Sequence, residues 1–307
     1  MLINKNLKIG IVVEYNPFHN GHIYQLNWIK NNYPNSKIII VMSHKYSQRG
    51  EIICMPFWKR KLWAKKYGVS KVLKLSTRKT IQAAHIFAKN AIQKLNKEKI
   101  DILVFGSEST NNSLMLKIAT FIKENKELYN QTLKKNLKGG NSFPKANFLT
   151  LKELTNEDFS LPNDILGFEY IKQIVENNYK IQPIAIKRSV GFHSEEPSDE
   201  FASASLIRKM LKDGRDVSKY TPVDLKQIPT KLLIENTFLK FKKYILKTPA
   251  SKLKKYLLVD EGIENLFKKN ILLFDNYHDF IDACVSRRYT RSKIMRTYLC
   301  ILLKIKK

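Results

Sequence analysis

Residues 8–30 read KIGIVVEYNPFHNGHIYQLNWIK, and this stretch decides the fold. Its first half is a continuous β-branched run ended by Asn16-Pro17, the pattern of a strand buried on both faces of a parallel sheet. From Gly21 onward the apolar residues recur at helical spacing. Between the two halves sit His19 and His22, two of only six histidines in the chain. A strand that passes directly into a helix is the first unit of a Rossmann-like α/β fold, whose ligands bind beyond the carboxyl ends of the strands.

The rest of the chain extends the pattern. Further strand-like runs are SKIIIVMS at 36–43, SKVLKLS at 70–76 and IDILVFGS at 100–107. Helical periodicity fills 21–32, 55–68 and 80–96. Strands alternating with helices of this length specify a parallel sheet with right-handed crossovers. Residues 113–137 are helical and polar, and KGGNSFPKAN at 138–147 reads as a loop. A helix over 164–178, a strand over 180–188 and a short helix over 203–214 follow. After YTPVDLKQIPT the pattern is helical only, with 18 basic against 7 acidic residues from Lys231 onward. The chain is expected to divide into a catalytic α/β domain, 1–222, and a basic helical region, 223–307.

Composition bounds the function. Apolar residues make up 43% and charged residues 27% of 307 residues, so the chain can bury a core and is not held open by self-repulsion. The 55 Lys and Arg against 27 Asp and Glu give a formal charge of +28, which favours polyanions such as nucleic acid or nucleotide phosphates. The abundance of Lys, Asn and Ile is also what AT-rich coding produces, so part of the charge carries no functional message. Cys54, Cys284 and Cys300 are far apart and lack C-x-x-C spacing, which indicates neither a disulfide framework nor a zinc site. The longest apolar runs are too short to span a bilayer and no signal peptide pattern is visible. A cytoplasmic protein with no membrane partner is expected.

The chemistry is expected at the first turn. A helix beginning near Gly21 offers unpaired backbone N–H groups and a positive dipole end to a phosphate. His19 and His22 can then donate hydrogen bonds to charge that builds in a displacement transition state. Two surface histidines at a helix start are the competing reading, disfavoured by their scarcity and by the strand-to-helix setting. A second run, SASLIR at 203–208, opens a later helix: Ser203 and Ser205 can cap it and bond phosphate oxygens, while Arg208 presents a fork to phosphates. Alone, an N-capped amphipathic helix would look the same.

H-x-G-H after the first strand together with S-x-x-I/L-R resembles the HxGH nucleotidylyltransferase superfamily. Within it, VVEYNPFHNGHIYQ at 12–25, QRGE at 48–51, FGSE at 105–108, PNDILGFEY at 162–170 and ASASLIR at 202–208, in that order, resemble the bacterial tRNA(Met) cytidine acetate ligase family. RRYTRSKIMR at 287–296 is similar to its C-terminal helices. The resemblance implies that ATP and acetate give acetyl-adenylate and pyrophosphate, the acetyl group then passing to the wobble cytidine of elongator tRNA(Met). It implies ATP contacts by Val12, Val13, Glu14, Tyr15, Asn16, Pro17, Phe18, His19, Asn20, Gly21, His22, Ile23, Tyr24 and Gln25. Gly106 would leave backbone bare for adenosine, and Asn163, Arg188, Ser203 and Ser205 complete the set. His19, His22 and Arg208 would carry catalysis, with Mg2+ accompanying the triphosphate. The chain departs from the family in MSHKYSQRG, where Met-Ser-Gly usually precedes Q-R-G, and in stopping at Lys307.

Other residues admit plainer readings. Gln48, Arg49 and Glu51 lie at the ligand edge of the sheet, where Arg49 could meet phosphate or tRNA, or form an ordinary loop salt bridge. His85, among Ala, Ile and Phe, reads as a core residue, His193 as a loop residue and His278 as structural. Trp58, Lys59, Arg60, Lys61 and Trp63 interleave aromatic and basic side chains, as nucleic-acid surfaces do, but a solvated basic face explains them equally. The basic helices beyond 231 are better placed to hold an RNA backbone. No Walker-type loop and no K-M-S-K-S run is present. The rivals to an acetate ligase are a nucleotidylyltransferase acting on a phosphorylated cofactor precursor and a non-catalytic RNA-binding protein.

Overall fold

In the computed structural model, residues 6–156, 164–188, 197, 200–224 and 234–307 are described. Asn163 and His193 lie outside them. The first half alternates strand and helix: β1 (Lys8–Val13), α1 (Asn20–Asn32), β2 (Lys37–Ser43), α2 (Phe57–Lys66), β3 (Val69–Leu75), α3 (Thr77–Thr80), α4 (Ala84–Lys97) and β4 (Ile102–Ser107). Then come α5 (Asn112–Glu124), α6 (Lys126–Lys138), α7 (Phe143–Thr155), α8 (Ile165–Glu176), β5 (Gln182–Lys187) and α9 (Ala204–Lys212). The C-terminal part holds α10 (Phe238–Lys247), α11 (Ala250–Leu253), α12 (Ile263–Asn270), α13 (Tyr277–Ala283) and α14 (Arg291–Leu302).

The five strands form one parallel sheet in the order β3-β2-β1-β4-β5. Its central strands are apolar at nearly every position because helices cover both faces. Ile39, Val41, Leu103 and Phe105 pack against α4, α5 and α8, whereas Ile9, Ile11, Ile38 and Ile40 pack with residues of α1 and α2. From β1 the chain winds one way to β2 and β3, and from β4 the other way to β5. The switch point thus falls between β1 and β4, and the crevice beyond it is where a ligand fits.

Three local expectations are corrected. The 138–147 loop ends early, because Pro144 occupies the first turn of α7, where its missing N–H costs nothing and its fixed φ suits the helix. The helical stretch 113–137 is two helices: Asn125 leaves helical geometry at φ −111° and ψ 38° and ends α5 as α6 begins. The 80–96 helix starts at Ala84, since Ala83 is extended at ψ 155°.

The C-terminal helices have an apolar core of their own, centred on Phe241, Phe267, Phe280 and Tyr298, into which Tyr46 and Ile81 reach from the sheet domain. Phe241 and Tyr298 rings lie 3.9 Å apart. The loop after β2 is the seam. Tyr46 bridges Ile52, and Gly50, at φ +96°, brings its backbone so near α14 that a Cβ there would lie 3.0 Å from the Arg296 N and the Met295 carbonyl carbon. Among the described residues no helix is long and apolar enough to cross a membrane.

Candidate active site

The turn after β1 is built from unusual backbone. Tyr15 takes φ +52° and the Asn16-Pro17 bond is cis. Asn16 then serves two neighbours, its Oδ1 accepting from the Cys54 N–H at 2.8 Å and its carbonyl from Arg208 Nη1 at 2.8 Å. Arg208 reaches on through Nη2 to Glu51 Oε2 at 2.9 Å. The first turn, the Q-R-G-E loop and α9, distant in sequence, are thereby tied at one point.

His19 is the N-cap of α1. Its Nδ1 accepts the Gly21 N–H at 3.1 Å, and the Nδ1 of His22 accepts the His19 N–H at 3.1 Å. This is a capping box made from two histidines, in place of the usual Ser or Thr with Glu. An imidazole that accepts at Nδ1 while neutral carries its proton on Nε2. Both are held neutral: burial lowers the His19 pKa to about 3, helped by Arg188 and Arg208, and burial, then His19 and Arg188, holds His22 well below its ordinary value. The rings sit 3.7 Å apart, a spacing two imidazolium ions would resist. Tyr15 packs edge-on against His22 at 4.5 Å.

The same hydrogen bonds correct the expectation of free helix N–H groups. Asn20 N–H goes to the Tyr220 carbonyl at 3.0 Å, and His22 and Ile23 N–H both go to the His19 carbonyl. With Gly21 N–H taken by His19, the first turn of α1 has no spare backbone donor among these four. What the turn can offer an anion is side-chain Nε2–H groups. The segment 200–221 clamps this turn from outside, with Asn20 Nδ2 donating to the Glu200 and Lys219 carbonyls and Thr221 Oγ1 to the Phe18 carbonyl at 2.7 Å.

Both histidines line a cavity of about 1380 Å³. Val12, Val13, Glu14, Tyr15, Asn16, Gly21, Tyr24, Gln25, Gly106, Arg188, Ser203, Ser205 and Arg208 line it too, so the structure brings these expected residues together. Pro17, Phe18, Asn20 and Ile23 are not on its wall. Phe18 is fully buried beneath the turn, stacking with His22 and Trp63. Ser203 caps α9 by accepting the Leu206 N–H at 3.2 Å and lies 3.0 Å from the Ser205 hydroxyl. The bare face of Gly106 is covered by the Arg188 stem, whose Cγ would be 3.2 Å from a Cβ there.

Several residues organise the site through contacts that the motifs do not record. Arg60 is fully buried and donates to the carbonyls of Glu14, Ser43, His44 and Met55. Burial lowers its pKa to about 10. It is a strut for the strand ends, not part of an RNA-facing surface. Trp58, by contrast, is exposed. Glu14 accepts the Gln48 N–H at 2.6 Å, and burial raises its pKa. Asp164 accepts from the Ser107 hydroxyl, the Glu108 N–H and both the N–H and hydroxyl of Ser109; burial alone would raise its pKa, but these bonds lower it. His85, expected in the core, instead lines the cavity with its ring 4.6 Å from Phe143. His278 pairs with Glu235 at 2.7 Å.

Comparison with known proteins is consistent with this geometry. The family model described as HIGH Nucleotidyl Transferase matches residues 7–307. A tRNA(Met) cytidine acetate ligase of Mycoplasmopsis synoviae (strain 53) is 99% identical over the whole of both chains. One from Mycoplasma mobile is 48% identical over 98% of this chain and 100% of its own length. Among solved structures, Thermotoga maritima TmcAL superposes with a TM-score of 0.89 in the apo form and 0.87 bound with alpha-thio ATP, at 28% identity, covering 98% of this chain and 76% of that one.

Proposed function

The chain belongs to the HIGH nucleotidyl transferases and, within them, to the tRNA(Met) cytidine acetate ligases, and from that premise we propose how its residues divide the reaction. The substrates are ATP, acetate and elongator tRNA(Met). In the first step an acetate oxygen attacks the α-phosphorus of ATP, the bond to the bridging oxygen breaks and pyrophosphate leaves. In the second, the exocyclic amine of the wobble cytidine attacks the acetyl carbonyl, AMP departs and the amine gives up a proton. No covalent enzyme intermediate is needed, so catalysis is positioning and charge stabilisation.

The observation that carries this reading is the neutral imidazole pair. Two Nε2–H groups fixed by the capping box meet the α-phosphate oxygens without reorganising as charge develops there. Net positive charge comes from Arg188 and Arg208, and the Ser203 and Ser205 hydroxyls add donors at the pyrophosphate end. Arg208 exchanges Glu51 for phosphate when the nucleotide binds. Gly106, Asn163 and the cavity-facing residues of the segment from Val12 to Gln25 hold the rest of the nucleotide.

Among the described residues no group of three or more His, Cys, Asp or Glu side chains could hold a metal ion. Such a wall fits magnesium that arrives chelated by the triphosphate, as is usual for this ion, where it would offset phosphate charge. A division after residue 222 is supported by the apolar core that α10–α14 build, although Val223 still packs with the sheet. Those basic helices would grip the RNA backbone.

The experiment incubates the protein with ATP and labelled acetate, with and without tRNA. Label enters RNA in the wild type. His22→Ala retains tRNA affinity but loses about 100-fold or more in acetate-dependent pyrophosphate exchange, the scale of a lost transition-state donor. Unchanged exchange in that variant removes the role given to the pair.

A further inference from the structure

The turn, the sheet edge and α9 account for one part of the cavity. At about 1380 Å³ it is larger than the roughly 300–1,000 Å³ of ordinary small-molecule sites. Beside the start of α8, a further wall comes from the start of α4, from α7 and from the C-terminal helix α14 with the loop before it. Two polar atoms on that wall are buried without a hydrogen-bond partner, Nδ1 of His85 and Nε of Arg296.

Arg296 is 7% exposed, and among the described residues no hydrogen bond or ion pair holds its guanidinium. A buried cation in that state is costly unless something pairs with it. Burial lowers the Arg296 pKa only to about 10, so it stays charged, and burial, Lys172 and Arg296 hold His85 at about 4. His85 is therefore neutral and can keep Nδ1 bare as an acceptor. Its ring lies 4.6 Å from Phe143 at 31°, and Phe148 lines the same wall. An acceptor, a charged fork of donors and flat apolar surface together describe the receptor for one face and one edge of a nucleobase.

We propose that this wall is the acceptor-base subsite: a cytosine turned out of its RNA strand lies against Phe143, its exocyclic amine donating to His85 Nδ1 and its N3 and O2 accepting from Arg296. The inference rests on the acetate-ligase reading and deepens it by naming what selects the base. Cytosine presents one donor followed by two acceptors. Uracil presents an acceptor and then a donor, so it would set its O4 against the bare imidazole nitrogen and its N3–H against the guanidinium. Adenine lacks the second acceptor. Arg296 belongs to the basic helices from which RNA would enter, and Arg288 lies on the same wall.

The test separates the two half-reactions. Acetate-dependent exchange of label between pyrophosphate and ATP reads adenylation without RNA, and labelled acetyl transfer to elongator tRNA(Met) reads the whole reaction. His85→Leu and Arg296→Met each lose roughly 10- to 100-fold in transfer, the range expected when a buried partner is removed, while exchange stays within about twofold. His85→Asn, whose amide oxygen falls near the Nδ1 position, recovers most of the transfer. Arg296→Met melts no lower than wild type, since it removes a buried charge that nothing among the described residues pairs. Equal loss in both half-reactions places the wall at the nucleotide or acetate and overturns the proposal, as does undiminished transfer. A wild-type protein that exchanges pyrophosphate but labels no RNA overturns the acetate-ligase reading and this subsite with it.

Discussion

His19 and His22 use one ring nitrogen each to finish the backbone of α1, which leaves the other nitrogen protonated and available. The motif and its position at the strand-to-helix turn were legible in the sequence. The fate of the Gly21 N–H was not, because whether a histidine caps a helix depends on rotamers that spacing does not record. The consequence is measurable through pH. The folded His19 pKa is depressed to about 3, against about 6.5 in the unfolded chain. Between those values the unfolded state binds more protons, so stability is full above about pH 6.5 and falls as pH drops toward 3. Thermal melts across that range slope downward with acid, and His19→Asn, which keeps a capping acceptor but cannot titrate, flattens part of the slope. An unaltered slope refutes a neutral His19.

At the scale of elements, β1 and α1 follow from the pattern of residues 8–30, and the remaining strands follow equally well. The α7 helix did not. Its Gly139, Gly140 and Pro144 read as breakers, yet Gly140 lies before the helix at φ +79° and Pro144 opens it. The α8 helix owes its place to Asp164, which binds the loop after β4, and to Gly167, which lets the helix meet Phe105. A Cβ on Gly167 would lie 2.5 Å from Phe105 Cε2, in a ring already packed on Tyr170. Gly167→Ala therefore destabilises the protein by about 1–3 kcal/mol, the cost of overpacking a core. Urea titration checks it. A midpoint equal to wild type contradicts the packing at that contact.

Over the whole molecule, the loop holding Gln48–Glu51 joins the two parts of the chain. It hydrogen-bonds to Glu14 on the sheet side and approaches α14 through Gly50 on the other. A bulky residue at Gly50 meets both a positive φ and the Arg296 backbone, so Gly50→Val costs about 2 kcal/mol or more in stability and weakens tRNA binding as α14 is displaced. A thermal melt with a filter-binding titration tests it; a normal melt with normal tRNA affinity removes the seam from the account.

Residues 8–30 and the order of the later motifs were enough, by themselves, to determine the sheet, its ligand edge and the family. Buried β-branched runs, turn residues and capping signals are local, and local patterns survive in a linear text. Only the tertiary structure decided that Arg60 is a buried strut, that Asp164 pins the β4 loop, and that His85 and Arg296 face one cavity. Those facts depend on which distant side chains meet after the chain has folded. Burial and the presence or lack of a partner, set by that folding, are what distinguish one arginine or histidine from another.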